Sequence, residues 1–268
     1  DSGNADYIWR YDGGGAWTRT GTKLEKGIQN RYDVIMNSGN SELAILRSHT
    51  TQAKFYRYSY SAGGWVRILI TDISNFGNVD NSNPLSMTKA QNGDFWIFRV
   101  DTTKLQAIKS ADSGTNWSST INLKTGLNTI QGTTDAITFS SGLLGYVGVA
   151  YGETGTNGIN TVFGFLYHHD GDPDNAWTDE TSALTYFGAE RGHNALSMTV
   201  DRQNNIYLFT RTFGGGGGDA ANTLYKRTGT NAWTPHLINT VSGINWNSPA
   251  IAIDTSNSFL IVSGIRSS

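Results

Sequence analysis

The chain has 268 residues, with 32 glycines, 4 prolines, 12% aromatic and 37% hydrophobic residues, a composition that excludes disorder and collagen-like structure and supports a large folded domain. Twenty basic against 22 acidic residues leave a formal charge of −2, so bulk electrostatics recruits neither nucleic acid nor an anionic membrane. Cysteine is absent, which removes disulfides, thiolate metal sites and cysteine nucleophiles, and no run approaches the ~18 apolar residues of a spanning helix.

From the N-terminus, 5–11 (ADYIWRY) and 17–20 read as two outer-type strands with no inner strands before them. A first unit follows, with DVIM at 33–36, the turn SGNS, and an apolar run ending at Arg47 (LAILR). In the second unit PLSM at 84–87, QNGD and FWIFR end at Arg99, and four strands are expected near 84–89, 94–100, 103–109 and 117–122. The third runs DAITF at 135–139, SSGL and VGVAY to Tyr151; the fourth runs ALSMTV at 195–200, RQNN and LFTR to Arg211. The last, PAIAI at 249–253, TSNS and VSGIR to Arg266, offers strands at 249–254 and 258–265 and no outer partners for them. Short apolar runs separated by turn residues, without helical period, specify strands.

A tryptophan after a small or polar turn marks the same repeat at Trp17, Trp65, Trp117, Trp177 and Trp233, spaced 48, 52, 60 and 56 residues apart. Repeats of this length, each a sheet unable to bury both faces alone, predict a β-propeller. The expectation is one all-β domain over 1–268. It is a five-bladed propeller of four-stranded antiparallel blades near 31–72, 83–123, 134–183, 194–240, and 248–268 with 5–21. Pairing the N- and C-terminal strands in one blade closes the ring and protects its edges.

The turn Ser110-Ala111-Asp112-Ser113-Gly114-Thr115-Asn116-Trp117 resembles the Asp-box of the BNR-repeat, sialidase-like propeller superfamily. Asp112 can hold turn amides, Gly114 can take positive φ, and Trp117 can pack between blades. The resemblance implies the fold, a structural role for Ser110, Asp112, Gly114 and Trp117, and a family that includes sialidases, lectins and polysaccharide lyases. A second likeness, Gly192-His193-Asn194 leading into ALSMTVD, is similar to GHN-start blades of the ulvan-type polysaccharide lyase branch.

In a propeller the second strands end, and the inner strands start, around one mouth of the channel. That gathers Arg47, Arg99, Tyr151, Arg211 and Arg266 with Tyr32, Asp33, Asn83, Asp135, His193, Asn194 and Ser248. Guanidinium forks bind carboxylate or sulfate bidentately, and Trp246 could stack on a sugar face. The expected function is therefore lectin-like recognition of an acidic saccharide through Arg47, Arg99, Tyr151, Arg211, Arg266, His193, Asn194, Tyr32 and Trp246. Two alternatives stand beside it: a glycan-cleaving enzyme, more a lyase using His193, Tyr151 and Arg211 than a hydrolase, and a non-catalytic attachment module of a cell surface, virion or larger assembly. The expected partner is an anionic polysaccharide or glycoconjugate, with no nucleic acid and no membrane insertion. No metal site or cofactor is expected, a structural calcium staying open, and low charge with abundant Ser, Thr, Asn and Gly suggests an extracellular, secreted or surface-attached protein. HHDGDPD at 168–174 reads as a solvated turn, since adjacent strand histidines point to opposite faces and the spacing fits no EF-hand.

Overall fold

The computed structural model describes the backbone of residues 7–11, 17–23, 31–36, 41–48, 53–61, 64–76, 85–101, 103–127, 132–153, 162–184, 190–214, 220–241, 245–253 and 260–267. Apart from a 3-10 turn at Thr181–Ala183, the regular structure among them is strand. A first sheet pairs β3 (Arg31–Met36), β4 (Glu42–Ser48), β5 (Ala53–Ser61) and β6 (Gly64–Ile73). A second pairs β7 (Ser86–Lys89), β8 (Phe95–Asp101), β9 (Lys104–Ser110) and β10 (Ile121–Thr125). The third holds β11 (Gly132–Ser141), β12 (Leu144–Glu153), β13 (Val162–His169) and β14 (Thr178–Asp179). The fourth holds β15 (Glu190–Val200), β16 (Ile206–Gly214), β17 (Ala220–Arg227) and β18 (Trp233–Val241). Every pairing is antiparallel and in chain order, the arrangement of β-propeller blades.

Both faces of a middle blade are covered, which is why the second-strand sequences read as continuous apolar runs instead of alternating ones. In β8, Phe95 and Ile97 pack with Phe55, Leu46 and Met87 between the first and second blades. Trp96 and Phe98 point the other way, into Val147, Val149 and Tyr151 of the third blade. Phe139, Phe165, Leu208, Tyr225 and Trp233 fill the next interface. Each later hairpin tryptophan packs on the blade before its own: Trp117 edge-on to Phe55 at 5.2 Å, Trp177 to Trp96 at 5.5 Å, Trp233 to Phe165 at 5.2 Å. Trp65 instead meets Tyr60 of its own hairpin, and Trp17 is 65% exposed.

The fourth strand of the second blade begins at Ile121, later than the expected 117. Residues 117–120 are shared between the two blades: Ser118 N donates to the Lys109 carbonyl and its Oγ accepts from Lys109 N, while Asn75 Nδ2 donates to the carbonyls of Trp117 and Ser118 and Thr120 Oγ1 donates to the Asn75 carbonyl. The terminal strands form two separate hairpins, β1 (Tyr7–Tyr11) with β2 (Trp17–Lys23) and β19 (Asn245–Ile253) with β20 (Leu260–Ser267). Here β19 packs against β15, and β2 runs beside β6. Among the described residues no ladder joins the two hairpins.

Candidate functional site

The ladder registers fix which side chains share a level across neighbouring blades. Three inner-strand side chains reach an amide of the following blade: Asp33 Oδ2 accepts from Met87 N at 2.5 Å, Asp135 Oδ2 from Met198 N at 2.5 Å, and Ser197 Oγ from Ile251 N at 3.3 Å. They define one level, opposite Leu46, Ala150 and Phe209 on the second strands, with Ser86 opposite Phe98 in the second blade. One residue further along the second strands stand Arg47, Arg99, Tyr151 and Thr210. Arg211 therefore stands one step beyond the other two arginines, since it lies two residues past Phe209, the partner of Ser197, where Arg47 and Arg99 lie one past theirs. In the last hairpin Ala250 faces Ser263 and Trp246 faces Arg266. Arg266 thus stands three positions past Ser263, where Arg47 is one past Leu46. The side chains of Tyr32, His193, Asn194, Arg211, Trp246 and Arg266, and all of Asn83, lie outside the described residues.

The expected mouth residues that are described are engaged within the protein. Arg47 is 4% exposed and donates to the Tyr56 hydroxyl at 3.5 Å. Arg99 Nε donates to Gln106 Oε1 at 2.9 Å, Gln106 passes the contact on to Asn122, and the guanidinium lies 3.7 Å from Asp101 and over the Phe76 ring. Tyr151 is fully buried, its hydroxyl 3.4 Å from Thr181 Oγ1 and its ring under Lys124. Burial raises the Tyr151 pKa against the opposing pull of Thr181 and Lys124, so its phenolate is disfavoured at neutral pH.

The carboxylates serve the blades. Burial pushes Asp33 up to about 6, against the amides of Met87 and Val34, and Asp135 up to about 7, where the Asp33 charge adds to burial. In the Ser110–Trp117 hairpin, Ser110 Oγ donates to Asp112 Oδ1 and accepts from Gly114 N, and Asp112 takes the Asn116 amide and side chain. Those bonds, that of the Asn116 amide foremost, lower Asp112 to about 2. Gly114 has φ +90°, and a Cβ there would stand 2.0 Å from Phe55 Cε1. In HHDGDPD, His168 is buried beside Trp96 and Trp177 with Nδ1 on the Ala176 carbonyl. Asp170 accepts the Gln91 and Asn92 amides, and Asp174 pairs with Lys109, so this segment fastens the third blade to the second. Among the described residues no group of three or more His, Asp or Glu is placed to hold a metal ion.

One cluster escaped sequence reasoning. Glu180, 0% exposed, receives Arg227 Nε and NH2, Trp233 Nε1 and the Asn231 amide, all at 2.8–2.9 Å. Its only sequence signal is a gap: the fourth-blade hairpin, TGTNA at 228–232, has no acidic residue to hold its own turn.

No family model matches the chain, and no curated protein matches it significantly. Solved structures do resemble it. The Penicillium chrysogenum α-L-arabinanase complexed with arabinobiose aligns over 87% of this chain and 74% of its own, at 12% identity and TM-score 0.57. The SapL1 lectin in complex with α-methyl fucoside aligns over 91% and 76%, at 12% identity and TM-score 0.55. A variant of the Streptococcus pneumoniae NanB sialidase aligns over 88% and 35%, at 16% identity and TM-score 0.55. At these identities the likeness establishes the fold, a β-propeller of four-stranded antiparallel sheets.

Proposed function

We propose that the chain is an extracellular, lectin-like propeller of the Asp-box type that binds an acidic saccharide at the channel mouth. Its two terminal hairpins complete a fifth blade in the seam between β15 and β6. The observation that carries the reading is the shared scaffold: a fucoside-bound lectin and an arabinobiose-bound arabinanase have this fold. Fold alone does not assign function, so the choice between binding and cleavage rests on the site. Among the described residues the acids and the phenol that cleavage would need are committed elsewhere: Asp33 and Asp135 hold amides of the next blade, and Tyr151 is buried. Arg47 and Tyr151 then act as supports beneath the mouth, and Arg99, His193, Asn194, Arg211, Trp246, Arg266 and Tyr32 provide the saccharide contacts.

The test is incubation of the purified chain with a glycan array and a polysaccharide panel, reading binding and the ultraviolet absorbance of unsaturated uronates together. Binding of carboxylated or sulfated glycans without new absorbance is expected. A rise in absorbance, lost in His193→Ala, would assign a lyase. Silence on both channels would favour an attachment module.

A further inference from the structure

The outer strands of the four blades end their sheets in different ways. β10 has five residues and β14 two, and β18 carries Pro235 and His236; short length, charge and proline all blunt an unpaired edge. β6 has ten residues and no proline, and it exposes Val66, Ile68 and Ile70 at 52%, 50% and 40%. It is the last strand of its sheet, and β2 runs beside it without a ladder. Among the described residues, its outer row of backbone amides and carbonyls is therefore unpaired. The two charged residues of β6, Arg67 and Asp72, lie on either side of Ile70. Arg67 is exposed with no partner among the described residues, and Asp72 is 56% exposed and meets Lys54 at a loose 3.7 Å.

The ladder with β5 fixes which side chains of β6 share a face. Arg67, Ile70 and Asp72 stand opposite Tyr58, Tyr56 and Lys54 on one face, and Leu69 and Thr71 stand opposite Arg57 and Phe55 on the other. Ile68 is the extra residue of a bulge between Arg67 and Leu69. Laid antiparallel against a second β6 about a two-fold axis at Ile70, the strand is complementary to itself. Ile70 meets Ile70, Leu69 meets Thr71 and, with Ile68 skipped as it is on the β5 side, Arg67 meets Asp72 at both ends. Every one of these pairs joins side chains of one face, as a ladder requires. Centred one residue either way, at Leu69 or Thr71, the faces still match, but Asp72 then meets Trp65 or Ile70. Charge therefore selects the axis at Ile70.

We propose that β6 is the contact strand of a symmetric dimer, in which two copies of the chain join their first blades edge to edge, with Ile70 on the two-fold axis and Arg67 of each copy on Asp72 of the other. A single strand edge buries less than the ~1,200 Å² of a standard interface, so the dimer is a reversible one with a dissociation constant on the order of 10 μM. Because the pairing is antiparallel, the second-strand ends that carry Arg47 and Arg99 point in opposite directions in the two copies. A chain that binds glycan at those ends then bridges two glycan surfaces. That consequence rests on the function proposed above; the dimer does not.

Sedimentation equilibrium of the purified chain from about 1 to about 200 μM, without glycan, tests the pairing. The weight-average mass should rise from one copy towards two. Arg67→Asp, which sets like charges against each other at both ends, should weaken association about tenfold or more, and adding Asp72→Arg should restore it. A single-copy mass throughout, or a rise that Arg67→Asp leaves unchanged, overturns the proposal. The chain has no cysteine, which allows a second measurement without any change of charge. Ile70→Cys sets two thiols opposite each other on the axis, where antiparallel Cα atoms ~4.5–5.5 Å apart suit a disulfide. Under mild oxidation at equal concentration it should cross-link about tenfold faster or more than Leu143→Cys, whose position between β11 and β12 is fully exposed. Equal rates would overturn the pairing. Neither measurement requires a glycan, so the dimer and the glycan site can fail separately.

Discussion

Glu180 and Arg227, 47 positions apart in the chain, face each other with two parallel hydrogen bonds of 2.8 and 2.9 Å across the seam of the third and fourth blades. The guanidinium lies 5.0 Å from the Tyr167 ring centre, with Phe139 and Phe165 also beneath it. The remaining carboxylate capacity goes to Trp233 Nε1 and the Asn231 amide. In the second blade the hairpin's own Asp112 holds the amide of Asn116. In the fourth, a carboxylate from the neighbouring blade holds the amide of Asn231 instead.

Removing one member of so enclosed a pair leaves the other charge buried without a partner. Glu180→Ala should cost about 3–5 kcal/mol, read as the shift in a urea unfolding curve. Replacing both residues, Glu180→Leu with Arg227→Met, should recover most of that loss. A single-variant cost below about 1 kcal/mol would show that the seam does not depend on the pair.

Two glycines with positive φ should respond differently to the same change. Gly114→Ala meets both the left-handed backbone and the Phe55 ring, whereas Gly142, at φ +63°, has nothing within 4 Å of an added Cβ. The expected costs are about 3 kcal/mol or more at Gly114 and about 1 kcal/mol at Gly142. Similar values at the two sites would mean that Phe55 moves aside freely.

Stability in acid should depend on carboxylates that are paired across neighbouring blades. Burial would raise Glu180, but the bonds from Arg227, Asn231 and Trp233 outweigh it and hold its pKa below the ordinary 4.5. Lys124 and Thr181 do the same for Asp179. These contributions are present above the unfolded pKa values and are lost as pH falls through the folded ones. The unfolding midpoint should therefore drop as the pH falls below about 4. A midpoint unchanged from about pH 6 down to about pH 3 would count against these contributions.

Tyr151→Phe separates support from chemistry. The hydroxyl has a long bond to Thr181, so its loss should cost about 1 kcal/mol or less and leave glycan binding unchanged. Loss of a cleavage activity in that variant, with stability intact, would return Tyr151 to a catalytic role.

The blades were legible because their signals are local: a hairpin tryptophan and two apolar runs per unit need no knowledge of neighbours. The levels of the side chains from blade to blade were not. The apolar run before each arginine aligns Arg211 with Arg99, but the pairing of Ser197 with Phe209 and of Ser86 with Phe98 leaves Arg211 two residues past its level and Arg99 one. Nor does a sequence reveal that Arg47 and Tyr151 are buried, because the side chains covering them come from other strands and blades. Glu180 escaped for the same reason: its partners belong to a different repeat, and only the missing acid of the 228–232 hairpin hinted at an outside donor.

The most direct test of the central claim is calorimetric titration of the chain with an acidic oligosaccharide from the panel and with its carboxyl-reduced counterpart. The account predicts binding of the acidic form that weakens with salt, and at least tenfold weaker binding, about 1.4 kcal/mol, of the neutral form and of Arg211→Ala/Arg266→Ala. Equal affinity for the charged and neutral saccharides, unchanged in that variant, would contradict recognition of an anionic glycan at the mouth.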